Sequence, residues 1–187
     1  MSKDVSVKIE GLDEITDKKI LSAMGRAAKK AGATAVRDMR AEATKRIRSR
    51  KRLKVGIIRK AIALRKPKGG MSILEMGWGL DVRGTVVPLI AYPHRQTRKG
   101  VSVAVNVGKR TMVQGAFIAT MPKSGHKGIW RRAGKSRLPI VELYGSRPVD
   151  ALLHKGESES VLERGKDSFT NAFERLLPIE LEKGKKE

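Results

Sequence analysis

The sequence predicts an α+β fold with a long N-terminal helix, a central antiparallel β-sheet and a C-terminal helix. Three observations carry this. Apolar and small residues recur at helical spacing over 20–47. Over 71–144 that pattern gives way to short β-like runs punctuated by Gly and Pro. Helical spacing returns after Arg147-Pro148. The 187 residues suffice for one domain with a real core, assigned to residues 1–178, followed by a charged tail over 179–187.

The elements follow in order. Val5, Val7 and Ile9 alternate with Ser6, Lys8 and Glu10, a half-buried strand ended by Gly11. The helical region is 13–66. Its first helix spans 13–49, capped by Asp13 or Thr16, with Ile20, Met24, Ala27, Ala28, Ala31, Ala35, Met39, Ala43 and Ile47 on one stripe. So many alanines let a partner approach closely, while Gly25 and Gly32 each weaken the helix by up to about 1 kcal/mol relative to Ala. A second helix carries Leu53, Ile57, Ile58, Ile62 and Leu64 and ends at Pro67-Lys68-Gly69-Gly70. Strands are expected at 72–78, 85–89, 101–107, 116–121 and 139–144, and 95–100 reads as a basic loop. The cleanest strand is 101–107, with strict alternation; short strands with no room for crossover helices require antiparallel pairing. The last helical region, 147–177, is opened by Pro148, weakened by Gly156 and Gly165 into two possible pieces, and interrupted by Pro178.

Charge is the strongest compositional signal. There are 41 Lys+Arg against 19 Asp+Glu, a net +22. Between Arg26 and Lys68 lie 17 basic residues and two acids, whereas residues 150–187 carry nine acids and seven bases. The densest run is 45–54. Like charges at helical spacing repel, so the run calls for a neutralising partner, either nucleic-acid phosphate or an acidic protein surface. Arg46, Arg48, Arg50, Lys51, Arg52 and Lys54 are the expected contact residues. No helix-turn-helix, zinc-finger or RNP pattern accompanies them, and aromatics are only 4% of residues, which argues against sequence-specific reading and base stacking.

Catalytic, cofactor and metal sites are not expected. The chain has no Cys, and His94, His126 and His154 are scattered. Ser124-Gly125-His126-Lys127-Gly128 reads as a glycine-bracketed turn, since a Ser two residues before a His does not establish a triad. Gly108-Lys109-Arg110-Thr111 lacks the preceding Gly of a phosphate-binding loop. Trp78 and Trp130 read as core or interface anchors. The N-terminal residues do not form a signal peptide, and no apolar run nears the roughly 18 residues of a membrane helix. Synthesis and folding in a cytoplasm are the expectation.

One segment carries a resemblance. Residues 117–132 read Phe-Ile-Ala-Thr-Met-Pro-Lys-Ser-Gly-His-Lys-Gly-Ile-Trp-Arg-Arg, and 137–146 read Arg-Leu-Pro-Ile-Val-Glu-Leu-Tyr-Gly-Ser. This resembles the prophage minor tail protein Z family: an apolar strand, a Met-x-x-Ser-Gly-His-x-Gly hairpin, an Arg, Leu-Pro-Ile, and an apolar-Gly-Ser ending. The motif region covers about a sixth of the chain; the remainder agrees in layout and length. On the residues alone, 117–121 and 129–132 form a hairpin about the 124–128 turn, 138–143 adds a strand, and Arg131, Arg132, Lys135 and Arg137 make a second basic cluster.

The resemblance implies a structural virion protein of a tailed phage, not an enzyme. It completes the head-proximal end of the tail and takes part in head–tail joining. It implies a homo-oligomeric ring, hexameric to match the tail's symmetry, with other tail and neck proteins as partners, packaged DNA as a further contact without sequence specificity, and no membrane. The expected subunit interface comprises Phe117, Ile118, His126, Ile129, Trp130, Arg131, Leu138, Ile140 and Leu143. The alternative is a non-specific nucleic-acid-binding protein of a bacterial cell.

Overall fold

The structure, a computed structural model, describes residues 3–6, 17–65 and 77–186, with the backbone alone for 3–6 and 184–186. Its architecture is α+β: a long N-terminal helix, antiparallel sheets and a C-terminal helix. The backbone groups into two compact units. One comprises residues 1–43, 62–82 and 155–187; the other comprises 44–61 and 83–154. No helix among the described residues is long and apolar enough to cross a membrane.

The first unit is built on two helices. Helix α1 (Lys18–Arg50) starts where the Asp17 carboxylate accepts the Lys19 N–H at 2.8 Å, an N-cap bond. The predicted start at 13, its caps Asp13 and Thr16, and the 7–10 half of the first strand lie outside the described residues. The alanine stripe is the core: Ala27, Ala31 and Ala43 are wholly buried, whereas Ile20 at the end of the stripe is exposed. Helix α3 (Glu157–Lys186) lies antiparallel to α1, because Arg26 and Lys30 reach Glu180 while Asp38 meets Ser168 and Arg164. Gly165 lies inside α3 against the flexible Met39 side chain.

Pro178 does not interrupt α3, and 179–186, expected as a charged tail, continues the helix. A proline removes one intrahelical N–H, but the turn beyond it is anchored. The Glu180 carboxylate is buried and takes Lys30 Nζ at 2.6 Å, Arg26 Nε at 3.1 Å and Lys183 Nζ at 3.4 Å. Hydrogen bonding to Lys30, aided by Arg26 and Lys183 and opposed by burial, lowers the Glu180 pKa to about 2.

A three-stranded antiparallel sheet completes this unit, in the order β1 (Lys3–Ser6), β3 (Gly77–Val82), β2 (Ile62–Arg65). Ile62 and Leu64, predicted on a helix, are on β2, where Ile62 pairs with Val82 and Leu64 with Leu80. Helix α2 (Val55–Ala61) stops one residue earlier, because its four-residue continuation has a strand partner in β3. Trp78 on β3 packs on Phe169 of α3, ring centroids 5.8 Å apart, and against the bare backbone of Gly32 on α1. Phe173 stacks on Phe169 one turn along.

The second unit holds two further antiparallel sheets. In one, β5 (Gly100–Val103) lies between β4 (His94–Thr97) and β6 (Thr111–Gln114). The expected basic loop at 95–100 is therefore largely strand, turning at Arg98-Lys99. Gly100 has φ +151, and a Cβ there would strike the Val113 carbonyl. In the other, β8 (Lys127–Arg132) lies between β7 (Ala116–Thr120) and β9 (Ile140–Glu142), which forms the predicted hairpin and following strand. The Gln96 amide joins the two sheets: its Oε1 accepts Ile118 N–H at 2.9 Å and its Nε2 donates to Gly100 O at 3.2 Å and Ala116 O at 3.4 Å.

One strand and one helix assignment change. Residues 85–89 form no strand: Pro88 makes one bridge, to Tyr144, and Leu89–Ala91 turns as a 3-10 helix. The predicted 147–177 helix opens as a 3-10 turn at Pro148–Ala151, and α3 starts only at Glu157, after Gly156 at φ +83.

Candidate functional site

The basic segment is set in place by a strand that changes partner. The alternating run 101–107 pairs with β4 and β6 only as far as Val103. It then continues alongside the end of α1, within the second unit. Arg52 N–H donates to Val105 O at 3.0 Å, Val107 N–H donates to Arg50 O at 3.0 Å, and Lys51 bridges to Asn106. Lys51 Nζ adds a bond to Asn106 Oδ1 at 2.9 Å. Leu53 within the segment and Ile47 and Ile58 on either side of it are buried. The chain at 51–54 is thus held extended, with its cations turned outward around a concave surface.

That surface is a groove of about 780 Å³. Arg48, Lys51, Arg52 and Lys54 border it, and Leu53, Ile57, Ile90, Tyr92, Pro93 and Val107 supply apolar wall. Among the described residues no acid lines it. Arg48, Arg52 and Lys54 are exposed and form no ion pair among the described residues. A second hollow of about 240 Å³ shares Arg52 and adds Lys109 and Arg110 beside Gly108. A third, of about 390 Å³, holds Arg50, Lys51, Asn106 and His154. Concave clusters of one sign focus field lines and raise the local concentration of anions.

The groove's wall is tied to the fold at Tyr92. Tyr92 is 2% exposed and its hydroxyl donates to Ser146 O at 2.8 Å. Burial raises its pKa above the usual value, so it stays a neutral donor. Gly145 lets the ring approach: a Cβ there would lie 2.6 Å from Tyr92 Cε2. His94 Nδ1 is 2.7 Å from Tyr92 O.

Five of the six predicted contact cations border these hollows: Arg48, Lys51, Arg52 and Lys54 the largest, Arg50 the third. Arg46 borders none of them and is half-buried on α1. Sequence reasoning missed Lys109 and Arg110, set aside once the phosphate-loop reading failed. The available signal was a Lys-Arg pair following a glycine, here a turn with Gly108 at φ +76. The wall residues Ile90, Tyr92 and Val107 carry no such signal, because only the fold brings them to the basic segment.

The 117–144 residues form the second predicted site. Ile129 is fully buried, so it holds the sheet and offers no outward contact. Phe117, Ile118, Trp130, Ile140 and Leu143 are half-buried; His126, Arg131 and Leu138 are exposed, Leu138 at 67%. Val141 and Tyr144 add exposed apolar surface. The turn is the glycine-bracketed one: Gly125 has φ +65, and Ser124 Oγ accepts His126 N–H at 3.3 Å. His126 Nε2 lies 2.8 Å from Glu142 Oε1, and the Tyr144 hydroxyl donates to Glu142 Oε2 at 2.9 Å. That hydrogen bond to Glu142 raises the Tyr144 pKa. Trp130 Nε1 donates to Ala119 O at 3.1 Å, and the His126 ring meets Trp130 edge-on at 5.9 Å. Among the described residues no group of three or more His, Asp or Glu is arranged to hold a metal ion.

Comparison with protein-family models, with curated proteins and with solved structures finds no match to this chain.

Proposed function

We propose that this chain is a structural subunit of a phage tail, not an enzyme: it completes the head-proximal end of the tail and joins tail to head. The observation that carries the reading is the 117–146 segment, which resembles the minor tail protein Z family in sequence. Its residues form a three-stranded sheet displaying exposed Leu138, Val141 and Tyr144 beside Arg131 and Arg132. Exposed apolar side chains with cations nearby suit a subunit contact. In the proposed assembly the sheet meets the next copy in a closed ring, hexameric to match the tail, and the basic groove faces an anionic partner. Neighbouring tail and neck proteins and packaged DNA are both within this reading.

The groove also supports a second reading, a bacterial protein binding nucleic acid without sequence preference, since clustered exposed cations alone support salt-dependent phosphate binding. Electron cryomicroscopy of intact virions separates the two. A ring of this fold at the head–tail junction is the expected result. A junction resolved without a copy of this chain would sink the tail assignment and leave nucleic-acid binding as the better account.

A further inference from the structure

We propose that the groove beside Arg52 takes an acidic segment of a neighbouring protein, one with a large aliphatic side chain set among its carboxylates. This rests on the reading of the chain as a subunit of a larger assembly and names the chemistry of the partner.

Two observations favour a peptide over a polynucleotide. First, the lining is amphipathic. Cations stand on its border and Leu53, Ile57, Ile90 and Val107 form its apolar wall. Val107 is 48% exposed, an uncovered aliphatic group placed among Arg48, Lys51 and Lys54. A phosphate backbone has nothing to set against such a wall, whereas a Leu or Ile side chain does. Secondly, the aromatic groups present no stacking face. Tyr92 is 2% exposed and committed to Ser146, and His94 is tied to the Tyr92 carbonyl. Single-stranded nucleic acid binds such channels through exposed aromatics. Among the described residues no acid lines the groove, so its charge suits the carboxylates of such a peptide as it would any anion. Its volume of about 780 Å³ falls in the range of sites that enclose a compact ligand.

The test uses the full chain and four fluorescent probes of matched length at one salt concentration: a Glu/Leu peptide, a Glu-only peptide, a single-stranded oligonucleotide and a duplex. Binding is read by anisotropy. The Glu/Leu peptide is expected to bind at least about tenfold more tightly than the Glu-only peptide, the effect of burying one aliphatic side chain. Val107→Ser removes most of that advantage and leaves the Glu-only peptide unchanged. The pair Arg52→Gln and Lys54→Gln weakens both peptides. All three side chains are at the surface, and circular dichroism of each variant checks that it folds. Equal binding of the two peptides, or indifference of the Glu/Leu peptide to Val107→Ser, overturns the proposal. So does tighter binding of either oligonucleotide that is lost in the Arg52→Gln, Lys54→Gln variant; that result assigns the groove to nucleic acid. The outcome is independent of the virion map, so the failure of one proposal is distinguishable from the failure of the other.

Discussion

A helix interior normally gains from replacing glycine with alanine, by about 0.5–1 kcal/mol, because glycine has more backbone freedom to lose on folding. Gly32 of α1 reverses that sign. A Cβ built there overlaps the indole ring of Trp78, among its Cε2 and Cδ2 atoms. The ring has little room to yield, since Trp78 is 6% exposed and lies on Phe169 at 5.8 Å. Overpacking of this kind costs about 1–3 kcal/mol. With the Cβ set directly onto Trp78 Cε2 the cost falls at the upper end of that range, so after the helix gain Gly32→Ala destabilises the first unit by about 2 kcal/mol. Gly56 of α2 is the control: nothing lies within 4 Å of its Cβ, so Gly56→Ala stabilises by about 0.5–1 kcal/mol. Urea unfolding measures both. Fluorotryptophan labelling with ¹⁹F NMR isolates the relevant ring, since Trp78 and Trp130 are the two tryptophans. Trp78→Phe should restore part of the loss in the Gly32→Ala background, a coupling that independent sites lack. A Gly32→Ala chain as stable as the parent refutes the placement of Trp78 against α1.

Three further predictions follow from named contacts. The Glu180 pKa falls from 4.5 to about 2 on folding, so its carboxylate contributes stability above pH 4.5 that is lost as pH falls toward 2. Glu180→Gln is therefore less stable at neutral pH, with a shallower decline over that window in urea midpoints recorded against pH; an unchanged slope refutes the ion cluster. Gln96→Leu leaves the Ile118 N–H and Ala116 carbonyl without their side-chain partner, at a cost of about 0.5–1.5 kcal/mol since water can reach this exposed position, and hydrogen exchange at Ile118 should accelerate. Neutralising Arg48, Arg52 and Lys54 together should lower the salt concentration at which the chain elutes from an anionic resin, while neutralising Arg26 and Lys30, which are engaged by Glu180, should matter less.

The α1 stripe was legible in the sequence because its partner needs close approach. Alanine recurring at helical spacing serves that purpose, and Ala27, Ala31 and Ala43 are buried as the spacing requires. The hairpin was legible for a similarly local reason: Gly125 and Gly128 punctuate two apolar runs, and β7 and β8 pair across them. The basic cluster of the candidate site was visible as well, since consecutive cations need no fold to be counted.

What escaped the sequence depends on partners far along the chain. Alternation over 101–107 states that the chain is extended but not with what it pairs. Tertiary structure pairs its first half with β4 and β6 and its second half with Arg50–Arg52, and that switch holds the cations outward. Ile62 and Leu64 suit a helix stripe or a strand equally, and β3 decides for the strand. Pro178 breaks helices by a local rule, yet α3 continues because Arg26 and Lys30, some 150 residues away, hold Glu180. By itself the sequence determined the chain's charge, its helical stripes and its turns, all set by residues within a few positions of one another. The apolar wall beside the cations and the burial of Glu180 were decided only in the folded chain, where distant side chains leave water together.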